Sequence, residues 1–257
     1  MRFFVGLHQP SDARLFADRP VMLSVNRLRR RRSDFAVGEW VLDSGAFTEL
    51  RDHGRYRDPP DVYAAQVRRW SRCGSLLAAV SQDWMCEELV IKGGRVRGQV
   101  FVGTGLSVPE HQRLTVERYD ALLPLVGETY LMPVLQGYWP DEYLRCVDLY
   151  GDRLRPGMWV GVGSVCKRNS DLESIERVLW TVKHARPDLL LHGFGVKTTA
   201  LGSSLVRACL HSADSMAWSY AARMQGRDSN DPAEAEAFAE RIRTQPMRRR
   251  HFQRFLW

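Results

Sequence analysis

The stretch Trp-Val-Leu-Asp-Ser-Gly-Ala-Phe, residues 40–47, joins a short apolar run to a polar, glycine-containing end. An apolar run without alternating polar residues is typical of a parallel strand that is covered on both faces. A carboxylate, a hydroxyl and an aromatic ring directly after such a strand lie where parallel sheets bind ligands. The stretch therefore predicts a buried strand whose carboxyl end carries reactive side chains.

Seven further apolar runs of this kind are spread along the chain. They are Phe3–Leu7, Val21–Val25, Leu76–Val80, Tyr130–Leu135, Trp159–Val162, Leu189–Leu191 with Phe194, and the weaker Leu210–Ala213. Segments with helical spacing and capping signals lie between them, beginning at Asp58, Ser107, Asp141 and Ser170. Residues 92–102 are polar and rich in glycine, which predicts a hairpin between the fourth strand and its helix.

Eight strands that alternate with helices over about 250 residues are the pattern of an α/β fold, the (β/α)8 TIM barrel. An open doubly wound sheet is the alternative, because the eighth apolar run is the weakest. We expect a single domain over residues 1–257, with the barrel core in residues 1–223 and a C-terminal helical extension in residues 224–257. This extension combines a helix at Pro232–Ile242 with a basic, aromatic tail at residues 248–257.

The composition is that of a globular protein with a mild excess of positive charge. The 257 residues include 37 Lys+Arg and 30 Asp+Glu, which gives a formal net charge of +7, and 44% are hydrophobic. These values exclude disordered and fibrous classes. Five cysteines without a CxxC pair and the absence of an N-terminal signal segment predict free thiols in the cytoplasm. No apolar run has the roughly 20 residues of a membrane helix, so we expect no membrane association.

Polar side chains, aromatic rings and glycines also follow the other predicted strands. They are residues 82–86 (Gln-Asp-Trp-Met-Cys), Gln136-Gly137, residues 161–164 (Gly-Val-Gly-Ser), residues 192–195 (His-Gly-Phe-Gly) and Asp214-Ser215. Taken singly, the aspartates could cap turns or helices, and His192 could be a core histidine. Together they converge on one barrel rim, where paired carboxylates can divide nucleophilic and acid–base work. Aromatic faces and an amide suit a planar heterocycle.

The ordered set of these motifs resembles the tRNA-guanine transglycosylase superfamily, and most closely its DNA-modifying branch, the DpdA-type deazapurine transglycosylases. The resemblance rests on residues 43–47, 82–86, 134–137, 161–166, 192–197 and 212–219, and runs from Phe3 to about Arg223. It implies a TIM barrel that replaces guanine in DNA with a 7-deazaguanine by a ping-pong route. No cofactor takes part in this exchange, and the target nucleotide must be flipped out or single-stranded.

The resemblance also implies a role for each matching residue. Asp43 would be the general acid/base, and Asp214 the nucleophile that bonds to C1′. A gapless match would put Ala217 at the nucleophile position, but Asp214 is the only carboxylate between Asp188 and Asp228. The base would be bound by Ser44, Gly45, Phe47, Asp83, Gln136, Gly137, Gly161, Gly163, Ser164, His192 and Gly193, with Phe47 stacking on it.

Two departures from the tRNA-modifying branch refine this expectation. That branch has a zinc site after the nucleophile, but here no cysteine follows Cys209, so we expect no metal and favour DNA over tRNA as substrate. Residues 164–167 (Ser-Val-Cys-Lys) lack the Glu that pairs with an aminomethyl-bearing base, which favours the neutral nitrile base, preQ0. The alternatives are the same exchange on tRNA, or a non-catalytic barrel that binds nucleic acid or a purine within a modification complex.

Basic residues provide candidate contacts to nucleic acid near the predicted rim. They are Arg27, Arg29, Arg30, Arg31, Arg32 and Lys197. Arginine-rich segments contact phosphates, and interleaved aromatic rings, as in the tail at residues 248–257, stack on bases. The alternatives are a solvated loop and a tail that packs on the barrel, on a homo-oligomer partner or on another protein.

Overall fold

The computed structural model of the chain describes residues 1–96, 98–165 and 171–247. The strands are β1 (Arg2–Leu7), β2 (Val21–Ser24), β3 (Glu39–Asp43), β4 (Ser75–Val80), β5 (Gly94–Val96), β6 (Gln99–Phe101), β7 (Leu131–Met132), β8 (Val134–Leu135), β9 (Trp159–Val162), β10 (Leu190–Gly193) and β11 (Leu210–Ser215). The α-helices are α1 (Ala46–His53), α2 (Pro60–Trp70), α3 (Glu88–Lys92), α4 (Val108–Leu122), α5 (Pro140–Tyr150), α6 (Leu172–Ala185), α7 (Thr198–Leu201), α8 (Ser204–Cys209), α9 (Ala217–Met224) and α10 (Pro232–Thr244). Three short 3-10 helices cover Pro10–Phe16, Val25–Arg27 and Gly151–Arg153.

Nine of the strands form one parallel sheet in the order β7-β4-β3-β2-β1-β11-β10-β9-β8. Its two end strands, β7 and β8, are consecutive in the chain and separated only by Pro133, which cannot donate to a strand ladder. The carbonyl of Pro133 still accepts a hydrogen bond from the Gly161 amide at 2.8 Å. The sheet is therefore a nearly closed TIM-like barrel whose fifth strand is interrupted, which confirms the predicted fold and excludes the open sheet.

Apolar side chains fill both faces of the barrel wall. One cluster lies inside the barrel and comprises Phe4, Met22, Val41, Ala78, Val80, Met132 and Val134. Residues next to these along the strands, such as Val5 and Leu42, pack outward with the surrounding helices in a second, larger cluster. Burial on both faces explains why these strands are continuous apolar runs in the sequence.

Four predicted helix starts lie within about two residues of the observed starts, namely those of α2, α4, α5 and α10. The Ser107 hydroxyl caps α4 by accepting the Glu110 amide at 3.3 Å, as predicted. The cap of α6 is Asp171, whose carboxylate accepts the Ser174 amide at 2.9 Å. The predicted start at Ser170 lies outside the described residues. Helices α1, α3, α7, α8 and α9 have no counterpart among the predictions, because each has at most eight residues and is too short to show a helical pattern in the sequence.

The segments outside the barrel wall also agree with expectation where they are described. Strands β5 and β6 pair in antiparallel fashion as the predicted hairpin. Helix α10 packs on the barrel through Phe238, whose ring lies 6.0 Å from that of Phe3. The basic tail predicted at residues 248–257 lies outside the described residues. Within the described ranges, no helix combines the length and the apolar composition needed to cross a membrane.

Candidate active site

A cavity of about 250 Å³ opens at the carboxyl end of the barrel strands. Seven of the residues that were assigned a catalytic or base-binding role line it, namely Asp43, Phe47, Asp83, Gln136, Gly163, Ser164 and Asp214. The other lining residues are Gly6, Met22, Ser24, Ala46, Val80, Met85, Phe194, Gly195 and Met216. Three aspartates, from β3, from the segment after β4 and from β11, thus share one largely apolar cavity.

Asp43 is the last residue of β3 and is followed by a tight turn into α1. Gly45 forms this turn with a φ of 74°, and its amide donates to Asp43 Oδ2 at 3.2 Å. Burial, together with repulsion from Asp214, raises the pKa of Asp43 to about 6, although hydrogen bonds from Ser24 and the turn amides oppose the shift. A carboxyl with such a pKa can both hold and release a proton near neutral pH.

Asp214 lies in β11, opposite Phe4 of β1 in the parallel register. Its Oδ1 accepts the Gly195 amide at 2.9 Å and lies 3.3 Å from Nε2 of His192. Within the described part of the chain, no hydrogen bond to Oδ2 accompanies these contacts, and the side chain is 14% exposed. One carboxylate oxygen is therefore held in place while the other is available to the cavity.

Asp83 and Gln136 form the polar floor of the cavity. The Gln136 amide donates to Asp83 Oδ2, and its carbonyl oxygen accepts from the Ser164 hydroxyl at 2.7 Å. Burial raises the pKa of Asp83 to about 7, opposed by the hydrogen bond from Gln136 and reinforced by repulsion from Asp43 and Glu87. Both ends of the Gln136 amide are thus fixed, so that its donor points at Asp83.

Ser164 connects this floor to a carboxylate that no pattern in the sequence indicates. Its hydroxyl lies 3.0 Å from Glu87 Oε2 and accepts the Cys86 amide at 2.9 Å. No carboxylate lies near residue 164 in the sequence. In the folded chain, however, Glu87 from the connection between β4 and α3 lies next to Ser164. Ser164 also has a φ of 55°, a conformation that costs free energy in a residue with a side chain.

Two aromatic rings form apolar parts of the cavity wall. The Phe47 ring is half-buried and packs edge-to-face on Phe101, with the ring centroids 5.9 Å apart. The Phe194 ring occupies the space that a side chain on Gly161 would need, since a Cβ there would lie 2.3 Å from the ring. Gly163 in the same way leaves room for Gln136, whose amide would lie 2.1 Å from a Cβ.

Six residues predicted to bind the base do not line the cavity. They are Ser44, Gly45, Gly137, Gly161, His192 and Gly193. His192 is fully buried beneath the wall, where its Nδ1 lies 2.9 Å from the Ser212 hydroxyl and its Nε2 supports Asp214. Gly137 and Gly193 leave room for packed neighbours, because a Cβ at either position would lie 2.7–3.0 Å from its nearest neighbour.

Several lining residues carried no sequence signal that identified them. Met22, Met85 and Met216 provide much of the apolar wall, and none of them was assigned a role, because a methionine in or after a strand has no distinctive pattern. Phe194 and Gly195 belong to the predicted strand-end stretch 192–195. Within that stretch, however, the contact with the base was assigned to His192 and Gly193. Position along the chain makes this distinction, because β10 ends at Gly193 and the lining pair lies just beyond its carboxyl end.

The basic run divides into exposed and paired side chains. Arg27, Arg30 and Arg32 are exposed, whereas Arg29 pairs with Asp58 at 2.8 Å and Glu49 at 3.4 Å. Arg31 donates to the carbonyls of Ser33 and Asp34. Lys197 lines a larger groove of about 890 Å³ beside the cavity. The groove and the cavity share four residues, which are Phe47, Ser164, Gly195 and Met216.

Comparison with known proteins identifies a family for this arrangement. A search of curated proteins found no match to the chain. The family model described as DpdA, DeoxyPurine in DNA protein A, matches residues 1–245. This match covers every barrel strand and α10. The chain therefore belongs to the DpdA family.

Proposed function

We propose that the protein exchanges guanine in DNA for a 7-deazaguanine through a covalent intermediate on Asp214. Membership of the DpdA family supports a DNA 7-deazaguanine transglycosylase role in general. The observation that carries the finer proposal is that Asp43 and Asp214 line one cavity and repel each other electrostatically. Exchange of a base on a sugar needs two such groups, one to trap C1′ and one to move a proton.

In the first half-reaction, Oδ2 of Asp214 attacks C1′ of the target nucleotide and the bond from C1′ to N9 of guanine breaks. Protonated Asp43 gives its proton to the departing guanine and becomes a carboxylate. In the second half-reaction, this carboxylate takes the N9 proton of the incoming 7-deazaguanine. The N9 electron pair then bonds to C1′ and releases Asp214, so that both carboxyl groups return to their starting states.

Asp83 and Gln136 are suited to read the edge that guanine and 7-deazaguanines share. An ionised Asp83 would accept the N–H donors of the amino-pyrimidinone edge. Because the pKa of Asp83 is about 7, two added donors would favour its ionised form once the base is bound. Phe47 and Phe194 would contact the faces of the base, which is a planar ring system.

Mass spectrometry of nucleosides tests the proposed function directly. Guanine-containing DNA and tRNA are incubated separately with the protein and preQ0, digested to nucleosides and analysed. We expect the mass of the deazaguanine nucleoside in DNA and not in tRNA. Modification of tRNA alone would identify the alternative substrate. No exchange in either, with retained binding of nucleic acid, would identify a non-catalytic barrel.

We further propose that the incoming base is the neutral nitrile form, preQ0, rather than the aminomethyl form. Glu87 lines the adjoining groove and not the base cavity, and the Ser164 hydroxyl lies between the two. A nitrile carries no charge, whereas an ammonium group in a largely apolar cavity needs a carboxylate in contact with it. Isothermal titration is therefore expected to show that the nitrile form binds at least about tenfold more tightly than the aminomethyl form.

The isosteric variant Glu87→Gln is the matched control for this titration. It should leave the affinity for the nitrile base within about twofold of the original value, because the base does not contact Glu87. Tighter binding of the aminomethyl form by the unaltered protein, lost in Glu87→Gln, would show that the carboxylate reaches the substituent. That result would contradict the assignment of preQ0.

A further inference from the structure

Three basic side chains lie together on the rim of the barrel, outside the cavity. Arg27 follows β2, His8 follows β1 and Arg223 lies in α9, which follows the β11 strand that carries Asp214. An Arg27 guanidinium nitrogen lies 3.3 Å from His8 Nδ1. Among the described residues, neither Arg27 nor Arg223 has a carboxylate within ion-pair distance. Arg29, only two residues from Arg27, is in contrast neutralised by Asp58 and Glu49.

His8 connects the two arginines as a neutral ring. A guanidinium can only donate, so the contact with Arg27 makes Nδ1 of His8 an acceptor and puts the ring proton on Nε2. This Nε2 lies 2.7 Å from the hydroxyl of Ser219, which is in α9 one turn before Arg223. Burial and the positive charges of Arg27 and Arg223 lower the pKa of His8. The two guanidinium groups therefore act on one small region without a compensating negative charge.

The position of this cluster relates it to the reacting carboxylates. The Ser24 side chain, three residues before Arg27, hydrogen-bonds to Asp43, and Asn26 donates to the Gly45 carbonyl at 3.4 Å. Arg223 lines the groove that adjoins the cavity, and its guanidinium lies 5.9 Å from the Tyr220 ring centroid. Both arginines therefore lie beside elements that position the reacting carboxylates, Arg27 next to the turn after Asp43 and Arg223 in the groove that adjoins the cavity.

We propose that Arg27 and Arg223, linked through His8 and Ser219, form a phosphate clamp that binds the DNA backbone beside the target nucleotide. This proposal rests on the proposed function, since it names where the substrate strand of that reaction is bound. Guanidinium groups bind phosphate oxygens through paired hydrogen bonds, and unpaired arginines do so without first breaking an ion pair. The clamp holds the strand while the base occupies the cavity.

Anisotropy of a labelled single-stranded, guanine-containing oligodeoxynucleotide across a NaCl series tests the clamp. Arg27→Gln and Arg223→Gln are each expected to weaken binding about tenfold. Each loss should reduce the slope of log affinity against log salt by about 0.7, and the double variant should reduce it by about 1.4. Arg27→Lys should restore the slope and only part of the affinity, because lysine keeps the charge without the planar fork.

The matched control is Arg72→Gln, which removes an exposed arginine before β4, at the opposite end of the barrel. It should bind the oligonucleotide like the unaltered protein, and all variants should bind the free base equally. A wild-type slope and affinity in the double variant would overturn the clamp, and so would a protein that does not bind the oligonucleotide. Base exchange by the wild-type protein is measured separately, so a protein with the expected slopes but no exchange would overturn the proposed function alone.

Discussion

Replacing Asp214 with asparagine is expected to abolish the covalent protein–DNA adduct and to reduce base exchange by at least about 10⁴-fold. An amide oxygen is a much weaker nucleophile than a carboxylate oxygen and cannot be displaced from C1′ in the same way. The contacts of Oδ1 with the Gly195 amide and His192 are compatible with an amide oxygen, so the cavity should keep its shape. Denaturing electrophoresis and intact-mass measurement of the trapped oligonucleotide adduct provide the test.

The control is Asp18→Asn, which makes the same chemical change at an exposed side chain in the loop before β2. This variant should form the adduct at the wild-type rate. Asp214→Asn should also bind the oligonucleotide with wild-type affinity, which separates lost chemistry from lost binding. An adduct that still forms in Asp214→Asn would refute Asp214 as the nucleophile and would direct attention to Asp43 or Asp83.

The sequence predicts the barrel well because its strands are buried on both faces. The strands β1–β4 and β9 are apolar runs bounded by turns, and their predicted ends lie within two residues of the observed ones. The interruption at Pro133 is not visible as a break, because the residues on both sides of it are apolar. β11 is the least apolar strand, since Ser212 contacts His192 and Asp214 faces the cavity, and its functional residues obscure its strand pattern.

The site is predictable to the extent that it depends on strand ends alone. Parallel topology brings Asp43, Asp83 and Asp214 to one rim, so their convergence follows from the fold. The contact of Glu87 with Ser164 joins residues 77 positions apart through the folded connections, and no local pattern indicates it. No local pattern indicates that His8 and Arg223 lie near Arg27 either. The two candidate nucleophile positions lie in different places, with Asp214 in the cavity wall and Ala217 in the adjoining groove.

Replacing Asp43 with asparagine is expected to slow both half-reactions by about 10²–10⁴-fold without preventing adduct formation altogether. The pKa of Asp43 is raised from 3.8 to about 6, so the acid form that protonates the leaving guanine is lost as the pH rises through about 6. The second-order rate constant of adduct formation should therefore fall above this pH, while the return of the sugar to the incoming base should rise. Quenched-flow measurement of each half-reaction should find neither this fall nor this rise with pH in Asp43→Asn.

A stability measurement separates this role from a general disturbance of the site. Because the folded state holds the proton of Asp43 more tightly than the unfolded state, ionisation of Asp43 destabilises the wild-type protein as the pH rises from about 4 to above 6. Asparagine does not ionise, so the melting temperature of Asp43→Asn relative to wild type should increase over that range. Asp83→Asn should show the same trend extended to about pH 7, with weaker base binding. If Asp43→Asn instead melts below wild type by the same amount at every pH, its loss of activity reports a damaged turn at Gly45 rather than a missing acid.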